Sequence, residues 1–432
     1  MTTPLVESFE AFARNGGGTG PAWLVPARRA AFDRFTAAGF PTPKDEEWRF
    51  TPIGPIAGTA WHPAPVDDTV TATQLEPFQF GHAEWTTLVF VNGRYAADLS
   101  CRSRAVNGAT VETLAEAMAR DPELARRAIE RPAVPGQPSF VALNAAFVVD
   151  GTVIRVPAGV DLGDPIHLLH VSTPAAAGGV VSPRILLVVE RGARAQVVET
   201  YAGIGDAATF TNAVTHVEVA AGAWVEHTRI QRESAAAFHI GFTRVDQERD
   251  SHYRSFTLAM GGAIARHDLH ARLGAENVET LLYGLYLAGG SQLVDNHTVI
   301  FHDEPNCRSW EVYKGILDGK SRAVFNGKVL VKPEAQKTDA KQTNRNLLLS
   351  DGAKVDTKPQ LEIFADDVKC THGATVGQLD ETAHFYLQSR GIPRALAKQL
   401  LTYAFAAEVV TEIASQPVRE ALDRLVRSRL GG

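Results

Sequence analysis

From about residue 148 to 378 the chain keeps returning to one local pattern, a glycine followed by a small or charged residue and then a β-rich run. It stands in ERGARAQVVE (190–199), AAGAWVEHT (220–228), RLGAENVET (272–280), LAGGSQLVD (287–295), LDGKSRAVF (317–325), SDGAKVDTK (350–358) and THGATVGQL (371–379). Each unit is a turn feeding a strand. No long helix intervenes among the seven, which argues against an α/β fold and for a mainly β one. The glycines lie about 15 to 40 residues apart, so the repeat is degenerate. A sandwich, a propeller and a β-solenoid all accommodate such units. A solenoid buries each strand against neighbouring coils and tolerates irregular insertions at its corners. The apolar runs VIRVP, RILLVVE and TLLYGLYLAG suit strands inside such a stack. A parallel β-helix is therefore the preferred reading.

The flanks differ in texture. Residues 1–147 read as a mixed, largely helical region. Leu24, Ala27, Ala31, Phe35 and Ala38 fall at helical spacing, and Gly39 is a natural stop. PTPKDEEWRFTPI (41–53) reads as an irregular segment pinned by Trp48 and Phe50. Residues 111–130 read as helix with a break before Pro122, and 136–147 as a joint. After the β-helix core at 148–378, residues 379–432 are helical again. One helix stops at Gly391, a second puts Leu396, Leu400, Tyr403, Ala404 and Ala407 on one face, and a third carries Pro417 in its first turn, where no intrahelical N–H is lost.

Composition narrows the function classes. With 45% hydrophobic and 21% charged residues, the 432-residue chain can bury a large core. A formal charge of −6 argues against nucleic acid or anionic lipid as a general partner. Three scattered cysteines offer no disulfide framework, the opening MTTPLVESFEAFARNGG lacks the features of a signal peptide, and no run of about 18 apolar residues spans a membrane. A cytoplasmic, non-membrane protein is the expectation.

Most apparent motifs have a plain structural reading. GILDGKS (315–321) has three residues between its glycines where a phosphate loop needs four, and a strand follows instead of a helix. It reads as a solenoid corner with a solvated Lys320. In HDLH (267–270) the two histidines are three apart, hence on opposite faces of a strand, and read as surface or inter-coil residues. DDVKCTHGATVG (366–377) is different. Asp366, Val368, Cys370, His372, Ala374 and Val376 share the less polar face of an extended strand. A thiolate and an imidazole suit zinc, iron or an iron–sulfur species, although two ligands do not close a site. Taken alone, the pair is better read as a small buried cysteine and a satisfied core or rim histidine. If a metal binds here, its remaining ligands come from another molecule, because no second Cys/His pair offers itself.

The stretch KTDAKQTNRNLLLSDGAKVDTKPQLEIFADDVKCTHGATVGQLDETAHFYLQSRGI (337–392) closely resembles the SufB/SufD family of iron–sulfur cluster assembly proteins. PTPKDEEWRFT (41–51) and YAFAAEVV (403–410) resemble further family segments, so the likeness covers most of the chain. DVKCTHGATVG has the SufD form, and Asn344 stands in the neighbourhood where SufB-like members carry a cysteine. The resemblance implies a right-handed parallel β-helix with helical ends and a non-enzymatic scaffold role. It also implies two partners, a SufB-like paralogue and a SufC-like ATPase; for the isolated chain a homodimer is one option, and the sequence leaves its oligomeric state open. Cys370 and His372 match positions implicated at the contact with the SufB-like partner. There they would hold iron or a transient iron–sulfur cluster, with no stably bound cofactor. Two rival readings remain: a β-helix that binds proteins without a metal role, and a carbohydrate-active β-helix enzyme. Against the latter, no acidic cluster stands on successive strands.

Overall fold

The structure, a computed structural model, describes residues 3–14, 20–82, 84–102, 108–130 and 139–431. Strands alternate between two sheets, so that every second strand in sequence becomes a spatial neighbour. In the first sheet the order runs through Arg184–Val189, Phe210–Val219, Phe238–Gln247, Ile264–Leu273, Leu293–His302, Arg322–Val331 and Lys354–Ile363. The second runs through Arg194–Gly203, Trp224–Arg232, His252–Ala259, Glu279–Ala288, Arg308–Leu317, Asp339–Leu348 and Lys369–Gly377. All these neighbours pair in parallel and in register. The chain is thus a parallel β-solenoid, as the sequence pattern led us to expect.

Its corners explain why the repeat looked degenerate. Between the first sheet and the second, one residue per coil takes positive φ: Gly192, Gly222, Asp250, Asn277, Asn306 and Lys337. Each donates its N–H to a carbonyl of the next coil, for example Gly222 to Arg249 at 2.9 Å and Asn306 to Gln336 at 2.9 Å. Glycine meets this left-handed requirement without strain, and Asn and Asp meet it at small cost. A count of glycines alone sees only part of the corner series.

Alternation sends one face of each strand into the lumen and the other outward. The lumen is filled by a continuous apolar cluster running from Leu88 and Ile154 to Phe325, Val331 and Ala353. Helices Thr3–Arg14, Leu24–Ala38 and Ser139–Phe147 cover the outer face of the first sheet, meeting Leu186, Phe210 and Ile240. Helices Arg394–Val410 and Gln416–Arg429 cover the second sheet over Ile230, Phe256, Leu285, Ile316 and Leu347. No helix among the described residues is long and apolar enough to cross a membrane.

Several local expectations hold. Helix Leu24–Ala38 ends at Gly39 with φ 71°, Glu46–Trp48 is a short turn with Trp48 buried, and Gly319 and the exposed Lys320 form a corner. Others are corrected. Thr110–Thr113 is a strand antiparallel to Gly151–Val156, and the helix begins only after Thr113 and Glu116 form a reciprocal capping box. The segment read as a joint contains helix Ser139–Phe147, apolar on nearly every side because it is buried between other helices and the sheet; residues 136–138 lie outside the described residues. His267 and His270 do face opposite ways, and of the two readings, surface or inter-coil, the inter-coil one holds for both. His267 is buried beside the Thr243 hydroxyl at 2.9 Å, and His270 is wedged between Phe242 and Phe301 of the adjacent coils. In helix Arg394–Val410 the buried face is Ala397, Thr402, Ala406, Val409 and Val410, while Leu396 and Leu400 remain 45% and 42% exposed.

Candidate functional site

The solenoid ends in a coil that none of the described residues covers with a further strand. Strand Lys369–Gly377 pairs on one edge only, with Asp339–Leu348, and Lys354–Ile363 pairs only with Arg322–Val331. Both strands therefore present free N–H and C=O groups along their outer edges, a natural template for another chain. Around them Phe364, Val376, Phe385 and Tyr386 are exposed, Phe385 by 71%.

Cys370 and His372 lie on this last coil. Cys370 is paired in register with Ala340 and packs against the lumenal apolar cluster, so its side chain points inward, half-buried. Two positions on, His372 shares that face about 6.6 Å further along the strand, paired in register with Gln342 and exposed. The pair thus stands at the mouth of the lumen. Partial burial pushes the Cys370 thiol upward from its usual range, with the Ala340 backbone N–H pulling the other way. A metal would therefore have to displace the thiol proton. An imidazole and a thiol fit iron or a cluster edge, yet the described residues contain no group of three or more His, Cys, Asp or Glu arranged to hold a metal ion.

Below the mouth the lumen is polar. Glu311 and Gln342 occupy the two preceding rungs of the column that His372 ends, as the register Glu311↔Gln342↔His372 shows. Gln342 Nε2 donates to Glu311 Oε2 at 2.8 Å, and both residues are buried. Burial pushes the Glu311 carboxyl up to about 7, opposed by Thr298 and Gln342. Thr298 is near enough to favour the carboxylate but lies outside hydrogen-bonding geometry. One column over, Asn344 Nδ2 donates to the Tyr286 hydroxyl at 3.0 Å and to the Tyr313 carbonyl at 3.2 Å, and Asn346 Nδ2 donates to Asn344 Oδ1 at 2.6 Å. Asn344 is thus a buried structural amide. The sequence reading missed Glu311 and Gln342. Their signal is the interval of roughly 30 residues from 311 to 342 to 372, visible only once the coil length is known.

Comparison with known proteins places this architecture. Residues 18–168 match the SufBD protein N-terminal region, and residues 171–405 match the SufBD core domain of the SUF system for FeS cluster assembly. The chain belongs to the SufBD family. Among its relatives, a SufBD-family iron–sulfur cluster assembly protein of Synechocystis is 34% identical over 95% of this chain and 92% of its own length. Iron-sulfur cluster assembly protein SufD of Escherichia coli is 33% identical, over 94% and 93%. A chloroplastic protein of Arabidopsis thaliana, ABCI7, is 35% identical over 67% of this chain and 63% of its own. Within this SufBD-family chain, the uncovered last coil falls inside the matched core domain, and helix Arg394–Val410 begins inside it.

Proposed function

We propose that this chain is the SufD-like scaffold subunit of a complex that assembles iron–sulfur clusters. In that reading it catalyses no reaction itself. It pairs with a SufB-like paralogue through the free edges of Lys354–Ile363 and Lys369–Gly377, and with a SufC-like ATPase through its C-terminal helices. His372, with Cys370 beside it, is offered to iron or to a nascent cluster whose other ligands the SufB-like partner supplies; the cluster is cargo, not a resident group. A reducing compartment such as the cytoplasm suits three cysteines that are all free.

One observation carries the reading: Cys370 and His372, a thiol and an imidazole, sit together on the last coil, which no strand of the described residues covers. Both expectations made for them, metal contact and partner contact, thus concern the same few residues. Co-expression with SufB-like and SufC-like proteins tests it. A stable ternary complex bearing iron and sulfide is expected. A chain that remains alone, or a complex whose cluster content is indifferent to His372, overturns it.

A further inference from the structure

Histidines that bind metals through one ring nitrogen commonly donate the other N–H to a carbonyl or carboxylate, which fixes both the tautomer and the ring orientation. At the mouth of this solenoid one group is built for that. We propose that Gln342, held in place by Glu311, is a positioning residue for His372, its Oε1 accepting a ring N–H of His372 so that the other ring nitrogen faces the mouth with its lone pair free. The inference rests on the reading of His372 as an iron ligand and adds the residues that prepare it.

Four observations support it. Gln342 and His372 are register partners on adjacent parallel strands, and neighbouring strands lie about 4.8 Å apart. Gln342 points into the lumen, where it reaches Glu311, and His372 stands at the open mouth on the same strand face as Cys370, which packs against the lumenal cluster. With Glu311 ionised, as it is above about pH 7, its carboxylate can only accept, so the bond from Nε2 sets which way the amide points and Gln342 presents Oε1 elsewhere. Finally, Gln342 Oε1 is buried without a partner among the described residues. A buried carbonyl oxygen left unpaired is costly, of order 1–3 kcal/mol, and the ring above it is the donor the register supplies.

The surrounding residues make room for this arrangement. Gly327 faces Gln342 across the lumen, and a Cβ there would collide with the Gln342 amide nitrogen and carbon. Any larger residue at 327 would expel the amide from its place. Gln342 thus fills a space shaped for it, between a buried carboxylate and the exposed histidine. An apolar side chain of equal volume would fill that space equally well, so packing alone does not account for an amide there.

The test is nitrogen NMR of the full-length chain labelled at its histidines, with the His372 signals assigned from His372→Ala. The expected result is one dominant neutral tautomer, favoured roughly fivefold, about the strength of one net hydrogen bond. Gln342→Met keeps the volume and should bring the two tautomers to near parity. Glu311→Gln frees the direction of the Gln342 amide, should weaken the bias, and serves if Gln342→Met does not fold. Complexes bearing either variant should assemble at full stoichiometry and hold two- to fivefold less iron. An unbiased wild-type ring, a bias that survives both variants, or full iron despite its loss overturns the proposal. Full iron in a His372→Ala complex instead sinks the ligand reading, while a tautomer bias lost in Gln342→Met would still establish the Gln342 contact.

Discussion

The guanidinium of Arg266 lies 3.7 Å from the centre of the Trp48 ring, joining the N-terminal segment to the outer face of the first sheet. Arg266 is itself buried and paired with Asp268 at 2.7 Å and Asp295 at 2.9 Å, while Asp295 accepts from Thr51 and meets His297 at 3.0 Å. Trp48 therefore covers a cationic group already neutralised beneath it, and the segment 46–51 closes over a buried ionic network. We expect Arg266→Ala to cost about 3–5 kcal/mol, because it strands two buried carboxylates. Trp48→Ala should cost a similar amount through lost packing. In a double-mutant cycle followed by urea unfolding the two losses should couple by about 1–2 kcal/mol. Additive losses would mean the stacking contributes nothing of its own.

Glu311 makes stability depend on pH in the opposite sense to a salt-bridged carboxylate. Its carboxyl is raised from 4.5 to about 7 by burial, so the folded state holds a proton that the unfolded state has released. Stability from this group is unaffected below about pH 4.5, falls as pH rises from there to about 7, and stays reduced above it. The full loss is of order 3 kcal/mol, at about 1.4 kcal/mol per unit. Glu311→Gln should therefore raise stability at pH 8 by about 2–3 kcal/mol and leave it nearly unchanged at pH 4. Urea unfolding at the two pH values checks this; equal effects at both would exclude titration of Glu311 as the cause.

Much of this was legible in the sequence. Glycine turns leading into strands favoured the solenoid over a sandwich or a propeller, and alternation sufficed to put Cys370 and His372 on one face. What escaped had physical reasons. Asp250, Asn277, Asn306 and Lys337 take the same left-handed corner as Gly192 and Gly222, so a glycine count blurred the period. With the period blurred, Glu311, Gln342 and His372 could not be seen as one column. In the C-terminal helix, spacing puts Leu396 and Leu400 on one face but does not say which face the sheet takes. The helix lies on the sheet through smaller and β-branched residues, Ala397, Ala406, Val409 and Val410, which permit close approach.

That division of the helix sharpens the docking surface proposed for the ATPase. Leu396 and Leu400 stand one turn apart on the exposed side of helix Arg394–Val410, and Phe385 and Tyr386 are exposed on the preceding helix, Glu381–Ser389. An apolar helical face of this kind suits a groove on a partner. Removing the helices would uncover the second sheet, so point changes are the cleaner probe. Leu396→Asp with Leu400→Asp should leave the melting temperature nearly unchanged and weaken ATPase binding at least tenfold by calorimetry. Undiminished binding would place the ATPase elsewhere.

His372→Ala bears most directly on function. The side chain is exposed and its only inferred hydrogen bond is the one to Gln342, worth about one net hydrogen bond, so its loss should cost the fold about 1 kcal/mol. The variant should therefore fold and assemble with its partners. Iron and sulfide on the purified complex should drop severalfold, because a shared site that loses an imidazole binds its metal weakly or in the wrong geometry. Cys370 separates two versions of the site. Its thiol is half-buried against the lumenal cluster and resists ionisation, so as mere packing Cys370→Ser should cost some stability and leave cluster content intact. As a ligand, its loss should match that of His372. Iron and sulfide analysis of both complexes, with assembly verified by size, distinguishes these outcomes. A His372→Ala complex that assembles and carries its full cluster would remove this residue from the site altogether.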